Sequence, residues 1–145
     1  MNENSELILY IYQNVSMGVE STTNLINILN STDNKIKKIV EGELKGYENF
    51  LKKAEKLMKK YKVEKQDRGM MAKLGAKMGM SMELMKDNSD AKVADMLTKG
   101  FMAGEVDITK RIDMYKDDAA SDIISLAKDI LKFSKENIDL LKPYL

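Results

Sequence analysis

The chain has 145 residues, and its 24 Lys and Arg side chains nearly balance 23 Asp and Glu side chains, so the net charge is +1. It contains no His and no Cys, which excludes thiolate catalysis, zinc fingers and iron–sulfur ligation and removes the usual general base. Both charge signs are mixed along the chain, a pattern that lacks the basic patch of a nucleic-acid binder and predicts no nucleic-acid partner.

The first part of the chain is predicted to form a helical hairpin. Apolar residues recur every three or four positions from Ser5 to Asn30, which indicates one long helix. A second helix with the same period is predicted from about Asn34 to Tyr61. The residues between them, Ser31-Thr32-Asp33, offer side-chain oxygens for capping the second helix. Because the join is short, the two helices are expected to be antiparallel neighbours.

A Met-rich segment follows the first hairpin, and its spacing predicts a short connector helix. Its candidate partner surface comprises Met70, Met71, Leu74, Met78 and Met85. Flexible thioethers are used in cores with irregular gaps and at surfaces that bind a protein or an apolar ligand, so both interpretations are open. A helix resting on a membrane is less expected because aromatic anchors are absent, and a Cu(I) site is least expected because no His or Cys supports the thioethers.

A second hairpin is predicted for the rest of the chain. Asp87-Asn88-Ser89 is a cap cluster, and a helix is predicted from Asp90 to Tyr115. After a turn at residues 116–118, a last helix is predicted from Ala119 to Lys142. No run of alternating polar and apolar residues is present, so little or no strand is expected. The fold class predicted is all-α, with one helical-bundle domain over residues 1–145.

Two long hairpins joined by about 28 residues resemble the ferritin-like fold, here an up-down four-helix bundle with a short Met-rich connector helix. A faint duplication, MGVE at residues 17–20 and MAGE at residues 102–105, agrees with that likeness. Through YQNVSMG at residues 12–18, the Met-rich connector and KGFMAGEVD at residues 99–107, the chain is also similar to a family of small helical proteins of low-GC Gram-positive bacteria. That resemblance implies no activity.

Two carboxylates fall on apolar helix faces and are the candidate inward acids, Glu43 and Glu105. Candidate neighbours are Tyr12, Tyr47 and Tyr115. One interpretation is a residual site for Mg, Mn or Ca, held by the pair with Tyr47 or water. The other is that each acid lies near a bundle edge or accepts hydrogen bonds from a tyrosine or a Lys. A di-metal site is not expected, because the histidines of ferritin-like sites are missing.

Other polar and apolar residues off the main faces bear on partners. Asn14, Asn24, Asn27 and Asn30 are poor helix formers and suit a polar subunit contact or a wet ligand cleft. Apolar residues off the core faces, such as Met17, Met102 and Leu140, favour a homodimer.

The sequence therefore predicts a non-enzymatic binding or interaction module without catalytic residues, cofactor or metal. The alternative is a ferritin-like metal-binding protein with a reduced carboxylate site that lacks His. The N-terminus has no basic region, and no apolar stretch approaches the ~20 residues of a membrane span, so we expect a cytoplasmic protein without membrane contact.

Overall fold

The computed structural model describes residues 2–65, 83–84 and 86–145. Its long helices are α1 (Glu3–Leu29), α2 (Lys37–Lys60), α3 (Asp90–Tyr115) and α4 (Ser121–Leu141), and a 3-10 turn follows at Lys142–Tyr144. Every regular element in this part of the chain is helical, which confirms the all-α class. All five residues of the predicted Met-rich partner surface lie outside the described residues, so that surface stays a prediction.

The predicted helix boundaries agree with the structure within a few residues at most ends. The start of α3 follows the prediction, because the Ser89 side chain accepts a hydrogen bond from the backbone N–H of Lys92 at 3.2 Å. The start of α2 does not. This helix begins at Lys37, and the side chain of its N-cap residue, Ile36, makes no capping hydrogen bond.

The predicted capping role of residues 31–33 was therefore wrong for α2. The Thr32 hydroxyl instead donates to the carbonyl of Leu29 at 2.8 Å and closes the end of α1. The backbone N–H groups of Lys35 and Ile36 point to the Asp90 carboxylate, at 3.2 and 3.4 Å. A carboxylate from another helix thus binds the backbone just before α2.

Asp90 ties the turn between α1 and α2 to the start of α3. Besides the two backbone groups, its carboxylate accepts a hydrogen bond from the Asn34 amide nitrogen at 2.9 Å. The same Asn34 nitrogen donates to the Asn88 carbonyl at 2.8 Å. Since Asp90 is also the first residue of α3, its charge stabilises the positive end of that helix.

We expect Asp90→Ala to lower the free energy of unfolding by about 1–3 kcal/mol, because it removes three hydrogen bonds to a carboxylate. Urea denaturation measures the change. Asp95→Ala is the matched control on the same helix: Asp95 only forms an exposed pair with Lys99 at 3.0 Å, which is worth less than about 1 kcal/mol. Equal losses in the two variants would contradict a tethering role for Asp90.

Side-chain contacts at the two ends of the bundle fix the direction of the helices. Asp90 places the start of α3 beside the α1–α2 turn. At the opposite end, Asp122 at the start of α4 pairs with Lys60 at the end of α2, at 2.6 Å. Therefore α2 and α3 run parallel, and residues 61–89 connect opposite ends of the bundle.

The buried apolar residues form two clusters, one toward each end of the bundle. Between the clusters, the buried side chains include polar ones, here called the polar layer: Thr22, Glu43, Ser134 and Asn137. On α2, for example, Glu43 lies between Val40 of one cluster and Phe50 of the other. The middle of the bundle is therefore the part of the described core that contains polar groups.

Candidate functional site

A cavity opens beside the polar layer, where the two hairpins meet least closely. The hairpins contact each other mainly through α2 and α4, whereas α1 and α3 hardly touch. The cavity between α1, α2 and α3 has a volume of about 290 Å³. Its apolar lining consists of Met17, Leu25, Val93, Met96, Leu97 and Phe101. Its polar lining consists of Asn14, Ser21, Thr22, Glu43 and Tyr47, and Gly18 and Gly100 complete the wall.

Tyr47 spans the floor of this cavity from α1 to α3. A Cβ atom at Gly18 would lie 2.5 Å from the Tyr47 ring, so glycine is what lets this ring pack against α1. On the other side the Tyr47 ring lies parallel to that of Phe101, with centroids 6.1 Å apart. The close approach at Gly18 and the parallel Phe101 ring together fix the position of the Tyr47 ring beside Glu43.

The Glu43 carboxyl lies one helical turn before Tyr47 on α2. Only 1% of Glu43 is exposed, and neither carboxyl oxygen has a hydrogen-bond partner among the described residues. Burial raises the pKa of Glu43 from 4.5 to about 8, because the charged form loses its hydration. Without a cationic partner, Glu43 is therefore mostly protonated at neutral pH.

The other described residues of the lining carry no charge to offset an ionised Glu43. Burial, and secondarily the neighbouring Glu43, raise the pKa of Tyr47 above its ordinary value, so this phenol stays neutral. No Lys or Arg is among the described residues that line the cavity. The described part of the site thus combines apolar and neutral polar side chains with one acid, Glu43.

Of the five predicted acids and tyrosines, the structure brings Glu43 and Tyr47 into the cavity and leaves the other three outside it. Glu105 is half-buried on α3. The Tyr115 hydroxyl donates to Glu6 at 2.8 Å, and the Tyr12 ring lies 5.7 Å from the Lys65 amine. The predicted pairing of Glu43 with Glu105 has no counterpart in the lining of this cavity.

The lining also bears on the predicted metal site. Within residues 2–65, 83–84 and 86–145, no group of three or more acidic side chains is placed to hold a metal ion. Hard cations take about six or more oxygen ligands, and among the described lining residues Glu43 supplies the one carboxylate. This part of the chain therefore offers a weak basis for a metal centre.

Sequence reasoning identified some cavity residues and missed others. Asn14, expected at a wet cleft or a subunit contact, lines the cavity, whereas Asn27 and Asn30 are exposed. Gly18 and Gly100 were not identified. Glycine inside a helix costs about 1 kcal/mol relative to alanine, and that cost was the available signal for a close approach or an opening.

No protein-family model, curated protein or solved structure matches this chain. In the described part of the chain, none of the helices combines the length and apolar character needed to cross a bilayer. The function has therefore to be inferred from the cavity and its acid.

Proposed function

We propose that the protein is a non-enzymatic binding module that takes a small, largely apolar ligand into the cavity between α1, α2 and α3. The observation that carries this proposal is the Glu43 carboxyl, which lines the cavity, is 1% exposed and has no hydrogen-bond partner among the described residues. The volume of about 290 Å³ lies just below the usual range for ligand sites, about 300–1,000 Å³, and therefore suits a small ligand.

The loss of stability caused by burying Glu43 without a described hydrogen-bond partner supports a functional role for this acid. A buried polar group without a partner destabilises a fold by about 1–3 kcal/mol, and an apolar side chain of similar volume would avoid that cost. Acids with a strongly raised pKa in a cavity are typical of binding and catalytic sites. Among the described lining residues, no Lys, Arg or second carboxylate accompanies Glu43 to activate the hydroxyls of Ser21 and Thr22, so binding is favoured over catalysis.

Two finer predictions stay proposals. The ferritin-like fold is supported by the parallel α2 and α3 and by a connector that joins opposite ends of the bundle. The homodimer is supported by Met102, Val106 and Leu140, each 54% exposed. Met17 does not contribute to that surface, because it lines the cavity.

Binding of 1-octanol tests the proposed function with methionine methyl NMR. The methyl signals of Met17 and Met96, which line the cavity, are expected to shift and saturate as octanol is added. The signal of Met114, which is 63% exposed and outside the lining, is the internal control. Equal shifts at all three methionines, or none at Met17 and Met96, would contradict the proposal.

A cavity-filling variant and its matched control separate binding in the cavity from binding elsewhere. A Cβ atom at Gly100 or at Gly104 meets nothing within 4 Å, and only Gly100 is among the residues that line the cavity. We expect Gly100→Leu to abolish the octanol-induced shifts and Gly104→Leu to preserve them. Both variants replace a helix glycine with leucine, so their helix propensities change equally.

A further inference from the structure

The described lining of the cavity contains an acid but no basic side chain. Glu43 presents two carboxyl oxygens, and no described residue donates a hydrogen bond to either of them. The polar groups that α1 contributes, from Asn14, Ser21 and Thr22, are all neutral, and α3 contributes apolar side chains and Gly100. On α4, which packs against α2, the buried polar residues are Ser134 and Asn137, which are also neutral. Apart from Glu43 itself, Tyr47 is the one titratable group among the lining residues that the structure describes.

We propose that the ligand of this cavity carries a primary amine, held as an ammonium ion by the Glu43 carboxylate while its apolar part contacts Met17 and Met96. This inference rests on the proposed function and specifies the class of ligand. An ammonium group brings three donors and no acceptor, which complements two free carboxylate oxygens. Its charge also neutralises the ionised acid, the condition under which a buried charge is tolerated.

The aromatic part of the lining favours the same ligand. The parallel rings of Tyr47 and Phe101 line the cavity beside Glu43, and aromatic faces attract ammonium groups within about 6 Å. An anionic ligand would meet Glu43 without any cation in the described lining. A neutral alcohol can exchange hydrogen bonds with the protonated acid, but it brings no charge to stabilise the ionised form.

Binding of an amine is coupled to the release of a proton. Burial raises the pKa of Glu43 to about 8, and an ammonium group beside it favours the ionised form. Below that pKa, Glu43 has to lose its proton before it pairs with the ligand. The affinity for an ammonium ion should therefore rise with pH by up to about tenfold per pH unit below 8 and level off above it.

Two ligands of equal chain length, n-octylamine and 1-octanol, test the inference, with the Met17 and Met96 methyl signals as the readout. At pH 8 we expect the amine to bind at least about tenfold more tightly than the alcohol. From pH 8 to pH 6 the amine affinity should fall by more than about tenfold, while the alcohol affinity should fall little or not at all. In Glu43→Gln, which keeps the shape of the side chain, the two affinities should become similar, with octanol still bound.

Three other outcomes of this binding experiment would each contradict part of the proposal. Equal binding of both compounds to the wild type overturns the amine and leaves the cavity as an apolar site. A preference for the amine that survives in Glu43→Gln also overturns the inference, because the carboxylate is then not its cause. If neither compound shifts Met17 and Met96, the proposed function and the amine ligand both fail.

Discussion

Wild-type protein is expected to lose about 4 kcal/mol of stability between pH 4.5 and pH 8 that Glu43→Met does not lose. In the unfolded chain Glu43 ionises above its ordinary pKa of 4.5, whereas in the fold it keeps its proton up to about 8. The folded state therefore binds one more proton over this interval. Stability falls by about 1.4 kcal/mol per pH unit as the pH rises, and the loss ends above the folded pKa.

Urea denaturation of both proteins across this pH range measures the effect, and the difference between the curves removes contributions from all other groups. At pH 8 we expect Glu43→Met to be the more stable protein, since an unbranched apolar side chain of similar length replaces an unpaired acid. Glu41→Met, at an exposed position of the same helix, controls for the loss of one carboxylate. Stability curves that run parallel for wild type and Glu43→Met would contradict a buried, unpaired Glu43.

Gly46→Ala is expected to lower the free energy of unfolding by about 1–3 kcal/mol, while Gly42→Ala, one turn earlier, raises it by about 0.5–1 kcal/mol. A Cβ atom at Gly46 would overlap the ring of Phe133 on α4, whereas a Cβ atom at Gly42 meets nothing within 4 Å. Gly42→Ala therefore reports helix propensity alone. The difference between the two variants in chemical denaturation isolates the contact between α2 and α4.

The Phe133 ring has little freedom to move away from a new methyl group. It packs edge-on against Tyr47 and Phe50, with centroids 5.2 Å away in each case, and against Phe101 at 5.8 Å. A double-mutant cycle with Phe133→Leu tests this cause, because the smaller side chain should reduce the cost of Gly46→Ala. Equal stability of the Gly46→Ala and Gly42→Ala variants would contradict the close approach of α2 to Phe133 of α4 at Gly46.

Local signals predicted the helices because nothing in the chain interrupts their period. The one Pro of the sequence, Pro143, lies beyond α4, so helix ends depended on caps that the sequence displays. Ser89 was such a signal, and α3 begins as predicted. The start of α2 was predicted too early, because the N–H groups of Lys35 and Ile36, just before the helix, bind Asp90, which is far away in sequence.

The acids show the limit of periodicity for predicting a site. Glu43 lies three residues after Val40 and four before Tyr47, and Glu105 lies four after Phe101 and three before Ile108. These equivalent spacings gave the two acids the same expected position. Glu43 is fully buried and Glu105 only half-buried, because burial depends on which helix packs opposite and how closely. The cavity itself depends on the gap between α1 and α3, which no local pattern encodes.

The most direct measurement is the pH titration of the Glu43 side-chain carboxyl carbon by ¹³C NMR, with its signal assigned by its absence in Glu43→Gln. In the ligand-free protein we expect a midpoint near pH 8, because the acid is buried without a partner. A midpoint near 4.5, the ordinary value for a glutamate, would show that Glu43 is hydrated or paired. That result would contradict the ligand site built around it.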